Sequence, residues 1–340
     1  MRTGVANLPN EPKIPLHNYL LELVTSSDGK ENSLYISNIN NIIKKIWDEI
    51  VKNNWKCLNV RKTIPKKLGV HSTSFYGYKN GKKAISIQML YNLLCLWKEK
   101  CSKTDSEFKE KWDKIFNEQL LFSTHSKHQK TMLPKYITPN LSYLIGWLCG
   151  DGHLKESHNY LVKISEKSVN QLEYVLKPLI KELFSIDVPI FRRYKGGYAI
   201  QFGNKTVYKF LTLVLRIKVG EIPYFINRLD SINKKYFLMG LIDSEGYISD
   251  SYKESSIITS QAKKKFLEQI ISLFNELNIK FTGPYIHKTK LGVWYTIRIR
   301  RKSEILEFNK IFGSYHVDKI QRLKNLVSEI ENRYSKSTVA

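Results

Sequence analysis

Apolar residues recur at intervals of three and four from Ile39 through Ile42, Ile43, Ile46, Trp47 and Ile50, a period that predicts an amphipathic helix running from about Ile36. Further on, Ile64 and Leu68 make a short apolar face, Gly69 stands where helices commonly stop, and Val70 leads to a polar helix start at Ser72. In that second helix Phe75 is expected to pack inward while Ser72, Thr73, Ser74, Tyr76, Tyr78 and Lys79 face out. Ile85 to Trp97 reads as a supporting amphipathic helix, Glu107 to Leu121 as another, and Ile320, Leu323, Leu326, Val327 and Ile330 mark a last one over Asp318 to Arg333. Between these lie two segments of another kind. Leu144-Ile145-Gly146-Trp147-Leu148-Cys149-Gly150-Asp151-Gly152 and Leu238-Met239-Gly240-Leu241-Ile242-Asp243-Ser244-Glu245-Gly246 are almost wholly apolar, carry small residues four apart, and end in an acid followed by glycine.

The surroundings of these segments repeat as well. Glu182-Leu183 sits over Glu276-Leu277 at the offset of 94 that relates Asp151 to Glu245, and Pro189 sits over Pro284 at 95. Each half reads as motif helix, strand pair, helix, strand pair. Candidate strands are Tyr160 to Ser165, Ile190 to Tyr194 and Tyr198 to Phe202, with counterparts at Ser256 to Thr259, Tyr285 to His287 and Val293 to Arg301. A duplication of this length predicts two similar units packed about a pseudo-twofold axis. The chain therefore divides into an extension with one short apolar patch (1–35), a helical domain (36–101), a helix with a basic, proline-containing linker (102–139), and a duplicated domain (140–335) with halves 140–232 and 233–335.

Charge narrows the partners. Lys plus Arg outnumber Asp plus Glu by 55 to 31, a formal +24, which points to nucleic acid more than to a membrane. The cysteines Cys57, Cys95, Cys101 and Cys149 are dispersed with no CxxC pair, suggesting neither a zinc knuckle nor a disulfide framework. No stretch approaches the roughly 20 apolar residues of a membrane span, so a soluble intracellular protein is expected. His125 and His128 have metal-ligand spacing, but in a basic linker such a pair is more often solvated.

Glycine costs a helix about 1 kcal/mol relative to alanine, a cost worth incurring where two backbones must approach closely. Two helices crossing on their small residues would bring Asp151 and Glu245 together at one edge, with Gly152 and Gly246 expected to leave each helix by a left-handed turn. Paired carboxylates repel unless a cation lies between them, and hard oxygen donors suit Mg²⁺, which completes its shell with water and phosphate. Such a centre can activate water and stabilise the leaving oxygen of a phosphodiester.

The two segments resemble the paired motifs of the single-chain LAGLIDADG homing endonucleases, and the resemblance covers residues 141 to about 335. It implies an α+β fold, an αββαββ unit repeated twice, with saddle-shaped antiparallel sheets over the DNA major groove and two or more Mg²⁺ ions at the motif ends. The family's catalytic acid occupies the eighth motif position, which is Asp151 and Glu245 here; carbonyls at the seventh, Gly150 and Ser244, would add metal ligands. Cys149 replaces the acid usual at the sixth position, which Asp243 keeps. Glu166 and Lys167 match a supporting polar residue followed by lysine, with Ser260 and Gln261 opposite; Lys167 and Gln261 are thus candidate catalytic residues. In the sheets, Val293, Tyr295, Ile297 and Ile299 alternate with Trp294, Thr296, Arg298 and Arg300, so that Trp294, Arg298 and Arg300 are candidates for DNA contact. Arg192, Arg193, Lys195 and Gln201 are their first-half equivalents.

The helical front segment resembles a helix-turn-helix, a small all-α unit whose second helix would enter the major groove, although an ordinary helical hairpin has the same turn pattern. The expected activity is metal-dependent double-strand cleavage of a long asymmetric site by a monomer acting as a pseudo-dimer. A non-cleaving nucleic-acid binder, an intron maturase or a transcription regulator, is the alternative; such a chain would be expected to lose a motif acid, and both remain. An intein setting is disfavoured by the terminal residues, Met1-Arg2 and Thr338-Val339-Ala340.

Overall fold

The structure, a computed structural model, describes residues 14–26, 34–54, 60–118, 120–124, 130–194, 196–249, 252–253, 256–290 and 292–337. The front segment begins with β1 (Ile14–Pro15) and α1 (His17–Thr25), followed by β2 (Tyr35–Ser37) and α2 (Asn40–Asn53). Next come α3 (Val60–Lys67), α4 (Ser72–Lys79), β3 (Ile85–Ser86), α5 (Ile87–Lys100), α6 (Asp105–Asn117), β4 (Leu121–Ser123) and β5 (Tyr136–Ile137). The expected inward Phe75 is fully buried against Trp47, ring centroids 4.7 Å apart, and Gly69 is left-handed at φ 69°.

Two expectations for this segment need correction. It is not all-α: β2 is the central strand of a three-stranded sheet in the order β3-β2-β4. Ile36-Ser37 and Ile85-Ser86, expected in helices, are extended, because Ile36 and Ile85 bury on a sheet face while Ser86 caps α5 by accepting from the Met89 amide. Residues 102–139 contain the expected helix, but the stretch after it is not a free linker. Thr104 and Glu107 form a reciprocal capping box at the start of α6, Leu121 belongs to β4, Thr131 bridges to Phe122, and β5 pairs with β1. In the N-terminal extension the apolar patch forms the helix α1, with Leu20, Leu23 and Val24 buried, and β1 precedes it. His125 and His128 lie outside the described residues.

The duplicated domain opens with α7 (Pro139–Gly150), then β6 (Gly152–Lys155), β7 (Leu161–Glu166), α8 (Val169–Gln171), a π turn (Leu172–Leu176) and α9 (Lys177–Phe184). It continues through β8 (Ile190–Arg192), β9 (Tyr198–Gly203), α10 (Lys205–Lys209) and a second π turn (Phe210–Val214) to a 3₁₀ turn (Tyr224–Arg228). The second half supplies α11 (Ser231–Glu245), β10 (Gly246–Ile248), β11 (Ile257–Gln261), α12 (Lys264–Glu276), β12 (Thr282–Thr289), β13 (Gly292–Ile299), α13 (Lys302–Ile311) and α14 (Val317–Ser337). Its sheet, β10-β11-β13-β12, repeats the order of the first, β6-β7-β9-β8, and both are antiparallel. The duplicated αββαββ arrangement is therefore present.

The unbroken apolar character of the motif segments follows from where they sit. Residues 141–150 of α7 are buried without exception, as are 236–243 of α11. Thr138 caps α7 by accepting from the Leu141 amide, Asp230 caps α11 by accepting from Asn233, and the buried Ser142 hydroxyl donates to Asn233 Oδ1 at 3.0 Å across the crossing. The front segment is fastened to the first half: Tyr19 meets Phe225 edge-on at 5.4 Å, and Arg228 pairs with Glu22 at 3.1 Å. No described helix is long and apolar enough to cross a membrane.

Candidate active site

The crossing of α7 and α11 is as close as backbones allow. A Cβ on Gly146 would overlap the Phe237 carbonyl and stand 2.8 Å from the Leu241 amide, and one on Gly240 would overlap the Tyr143 carbonyl. Farther along, a Cβ on Gly150 would overlap Ser244 and lie 2.8 Å from Glu245 Cγ, so the two motif ends are in contact. The trailing glycines act differently from expectation. Gly246 is extended at φ −82°, ψ 158°, and Gly152 is absent from the positive-φ glycines. They are glycines because a Cβ would collide with the carbonyl four residues back, Leu148 or Ile242, as the chain turns from helix into strand.

Asp151 and Glu245 consequently face one another at the edge of the helix pair. Withdrawal from solvent pushes the Asp151 carboxyl up to about 6, reinforced by Glu166 and opposed by Lys319 and Arg193. Glu245 is pushed up to about 7, first by burial and then by Asp151, with Lys319 opposing. Asp151 opens onto a cleft of about 700 Å³ lined also by Glu166, Lys167, Arg193, Ser244, Lys319 and Arg322.

Lys319 carries no mark in the sequence. It enters from the first turn of α14, and its ammonium donates to the Ile242 carbonyl at 3.0 Å and to that of Asp243, the C-terminal end of α11. Burial draws its pKa down, against the pull of Asp243, Glu166, Asp151 and Glu245. The loop before α14 holds it there. Buried Asp243 accepts from Tyr143 Oη at 2.8 Å, Ser314 Oγ at 2.6 Å, and the Tyr315 and His316 amides at 2.9 and 3.0 Å, while Gln171 Oε1 accepts from the Val317 amide at 2.9 Å. The first motif has Cys149 at this position, whose thiol burial pushes well up, and there the Gly220 amide donates to the Cys149 carbonyl at 2.7 Å. A helix-borne lysine 74 residues beyond the motif acid has no sequence signal; only the reach of the Asp243 network makes it local.

Glu166 and Lys167 both reach the cleft. Burial raises the Glu166 carboxyl, but His316 Nε2 at 3.4 Å and the Ser168 and Lys167 amides outweigh it and leave the group below its usual range. In the strand register Glu166 faces Tyr198 and Gln261 faces Tyr295, so Gln261 is the counterpart of Glu166, not of Lys167. Gln261 is buried, does not line the cleft, and its Nε2 has no hydrogen-bond partner among the described residues.

The sheet candidates divide. Ile297 and Ile299 are buried while Arg300 is exposed and Arg298 half-buried over the Tyr285 ring at 5.8 Å, but the alternation fails at Val293, which is exposed near the hairpin end, and at Thr296, which is buried. Arg298 and Arg300 line a second cleft of about 580 Å³ with Lys253, Lys302, Tyr247 and Ser249. Trp294 lies opposite His287 and is 38% exposed. Gln201 is exposed in a row with Lys163 and His153, but Arg192 pairs with Tyr198 and so shares the row of Glu166, the other face of its sheet. Arg193 turns into the Asp151 cleft and not along the sheet. Lys195 lies outside the described residues. On α4, Thr73 is exposed, Ser72, Ser74 and Tyr76 are half-buried, and Lys79 lies over the Tyr76 and Trp47 rings at 5.3 and 5.9 Å. Its start is capped by His71, whose Nδ1 accepts from the Thr73 amide, and Tyr78 packs partly on the core, contrary to the outward position expected.

The donor set fits a hard divalent cation. Among the described residues no three His, Cys, Asp or Glu group to hold a metal, yet the convergent pair resists ionisation and would be relieved by positive charge. A cation satisfied by two carboxylates, with backbone carbonyls and water completing its shell, matches Mg²⁺ better than a metal requiring four side-chain ligands.

A family model described as a LAGLIDADG-like domain matches residues 233–313. A glutamine–fructose-6-phosphate aminotransferase (isomerizing) of Methanocaldococcus jannaschii is 26% identical over 302 residues, 84% of this chain but only 25% of that protein. The homing endonuclease I-ApeI of Aeropyrum pernix is 22% identical over 204 residues, 55% of this chain and 86% of that one. Among solved structures, I-DmoI in complex with DNA and Mn is similar at TM-score 0.40 and 22% identity, over 53% of this chain and 99% of that one.

Proposed function

We propose that this chain is a two-motif protein of the LAGLIDADG kind, whose family model matches residues 233–313, and that it is a site-specific, metal-dependent endonuclease that cuts both strands of a long asymmetric DNA target. The observation that carries the proposal is the meeting of the Asp151 and Glu245 ends of two crossing helices, with Asp151 opening onto a cleft lined also by Lys167, Arg193 and Lys319. I-ApeI, a homing endonuclease, is a relative over 86% of its own length, which favours the same activity here. The aminotransferase activity named for the other relative belongs to a protein of which this chain spans only a quarter.

Asp151 and Glu245, with the carbonyls of Gly150 and Ser244, would hold two or more Mg²⁺ ions. When bound, such ions activate water and neutralise the leaving oxygen of the phosphodiester. The chain's own residues do the rest. Lys319 offsets the charge of the two acids, so that a further anion, the phosphate, meets less repulsion. Glu166, ionised and fixed by His316 and two amides, orients groups around Asp151, and exposed Lys167 lies at the mouth of the cleft to receive phosphate charge. Arg298, Arg300, Trp294 and Gln201 on the sheets face the DNA, and α4 extends contact through Ser72, Thr73, Ser74, Tyr76 and Lys79. The protein acts as a monomer, its halves serving as two unequal subunits. A regulator that only binds would have no use for both motif acids.

Incubating the protein with a randomised duplex library plus Mg²⁺ and sequencing the cut ends tests this reading. A recurrent long asymmetric site is the expected result; no cleavage with Mg²⁺ or Mn²⁺ contradicts it.

A further inference from the structure

The cleft beside Asp151 is built on the first half, yet part of its wall, from His316 to Arg322, belongs to the last segment of the second. The loop before α14 crosses over to reach it. Asp243 fixes the Tyr315 and His316 amides, and Gln171 in the first half accepts from the Val317 amide at 2.9 Å. His316 is thereby buried between the halves, 4% exposed, with its ring stacked on Trp147 of α7 at 6.2 Å and 15°.

The ring has a different neighbour on each nitrogen. His316 begins α14: its carbonyl accepts from the Ile320 amide at 2.8 Å, and its Nδ1 accepts from the Asp318 amide at 3.2 Å. Nδ1 therefore carries no proton, and the ring proton sits on Nε2. Nε2 stands 3.4 Å from Glu166 Oε2. Glu166 Oε1 is already occupied, accepting from the Lys167 and Ser168 amides at 2.6 and 3.1 Å. The carboxylate is thus held by three donors, and one lone pair of Oε2 is left for the cleft that Glu166 lines.

Capping alone does not call for this side chain. Ser, Asp or Asn starts a helix at least as well, and His71 caps α4 through the same Nδ1 with its residue exposed. An imidazole adds something when it is buried: an acceptor and a donor on opposite sides of one rigid ring. Here the acceptor serves the helix, and the donor side meets an ionised carboxylate of the other half.

We propose that His316 is a positioning residue for strand cleavage that acts through Glu166, turning the carboxylate so that its remaining lone pair accepts a hydrogen bond from a water held in the Asp151 cleft. The assignment rests on the endonuclease reading. It makes the second half a builder of the first half's cleft, because Asp243 sets where His316 stands and His316 sets where Glu166 points. A group fixed only by its own two backbone amides could still swing its second oxygen; the ring, clamped by Trp147 and the Asp318 amide, removes that freedom.

Two amide substitutions divide the ring's contacts. In His316→Asn the side-chain oxygen can stand where Nδ1 stood, keeping the Asp318 contact and losing Glu166. In His316→Gln the longer side chain brings its amide nitrogen to the place of Nε2, keeping a donor for Glu166. The full-length protein is assayed on a duplex recovered from the library, under single-turnover conditions with Mg²⁺, at a temperature where melting curves show every variant folded. His316→Asn is expected to cut at least about 30-fold more slowly than the wild type, with affinity in EDTA unchanged within about threefold, and His316→Gln to return to within about fivefold of the wild-type rate. A Glu166→Gln, His316→Asn double variant should cut within about twofold of Glu166→Gln alone, since the two substitutions break one path. Wild-type cleavage by His316→Asn, equal slowing by the Asn and Gln variants, or additive losses in the double variant overturns the assignment and leaves the endonuclease reading standing. A wild type that binds DNA and cuts nothing in the library overturns both.

Discussion

Asp151 and Glu245 are held where neither ionises readily, and this has a consequence for stability. Both groups have folded-state pKa values above those of the unfolded chain, about 6 against 3.8 and about 7 against 4.5. The folded protein therefore binds more protons than the unfolded one between about pH 4 and pH 7, and its stability falls as pH rises through that window. In EDTA the melting temperature should drop from pH 5 to pH 8 by more in the wild type than in an Asp151→Asn, Glu245→Gln double variant. Added Mg²⁺ should restore the loss at pH 8 in the wild type alone. Equal pH dependence of the two proteins would show that the acids are not held in tension. The glycines at the crossing can be tested in the same terms. Gly146→Val puts atoms where the Phe237 carbonyl and Leu241 amide already stand, and with no side chain to yield it should cost more than about 3 kcal/mol in denaturant unfolding. A loss under about 1 kcal/mol would mean that the helices separate easily.

At the scale of elements, the loop between α13 and α14 is the piece that composition hides. Asp243 gathers four donors, two of them backbone amides of that loop, and so sets where α14 begins and where Lys319 arrives. Asp243→Ala leaves those donors buried and unpaired and should destabilise the protein by about 3 kcal/mol. At a temperature where it remains folded, cleavage should fall by a further tenfold or more because Lys319 is no longer fixed. Cys149→Ala, the equivalent change in the first half, removes no side-chain hydrogen bond and should leave activity within about threefold of wild type. Similar effects of the two substitutions would remove Asp243 from its special role.

The motif helices, the duplicated strands β7 to β9 and β11 to β13, and the convergence of the Asp151 and Glu245 ends are legible in the sequence, because each is written in periodicity or repeated; the strand order follows only from the family resemblance, and the short β6 and β10 leave no pattern. The sheet of the front segment is not, since Ile85-Ser86 and Tyr35 to Ser37 are too short to alternate visibly and adjoin strongly periodic helices. Strand alternation carried past Arg192 puts Arg193 on the sheet face against DNA; the turn at the left-handed pair Gly196-Gly197 decides otherwise. Lys319 lies beyond any local pattern.

The whole molecule is lopsided about its pseudo-twofold axis. The front segment is fastened to the first half through Tyr19, Glu22, Phe225 and Arg228, while the second half carries the longer hairpin. DNA contact through α4 would therefore lengthen the footprint on one side. A Tyr76→Ala, Lys79→Ala double variant should weaken binding by about 1 kcal/mol and lower the slope of log affinity against log salt by about one, because one phosphate fewer is neutralised. An unchanged slope would assign α4 a structural role.

Whether the paired acids are the catalytic centre is decided by comparing Asp151→Asn with the wild type on the selected duplex, scoring cleavage and binding separately. With Mg²⁺ present, the variant should retain affinity within about threefold and lose cleavage by at least about 1,000-fold. Cleavage at the wild-type rate would contradict the assignment.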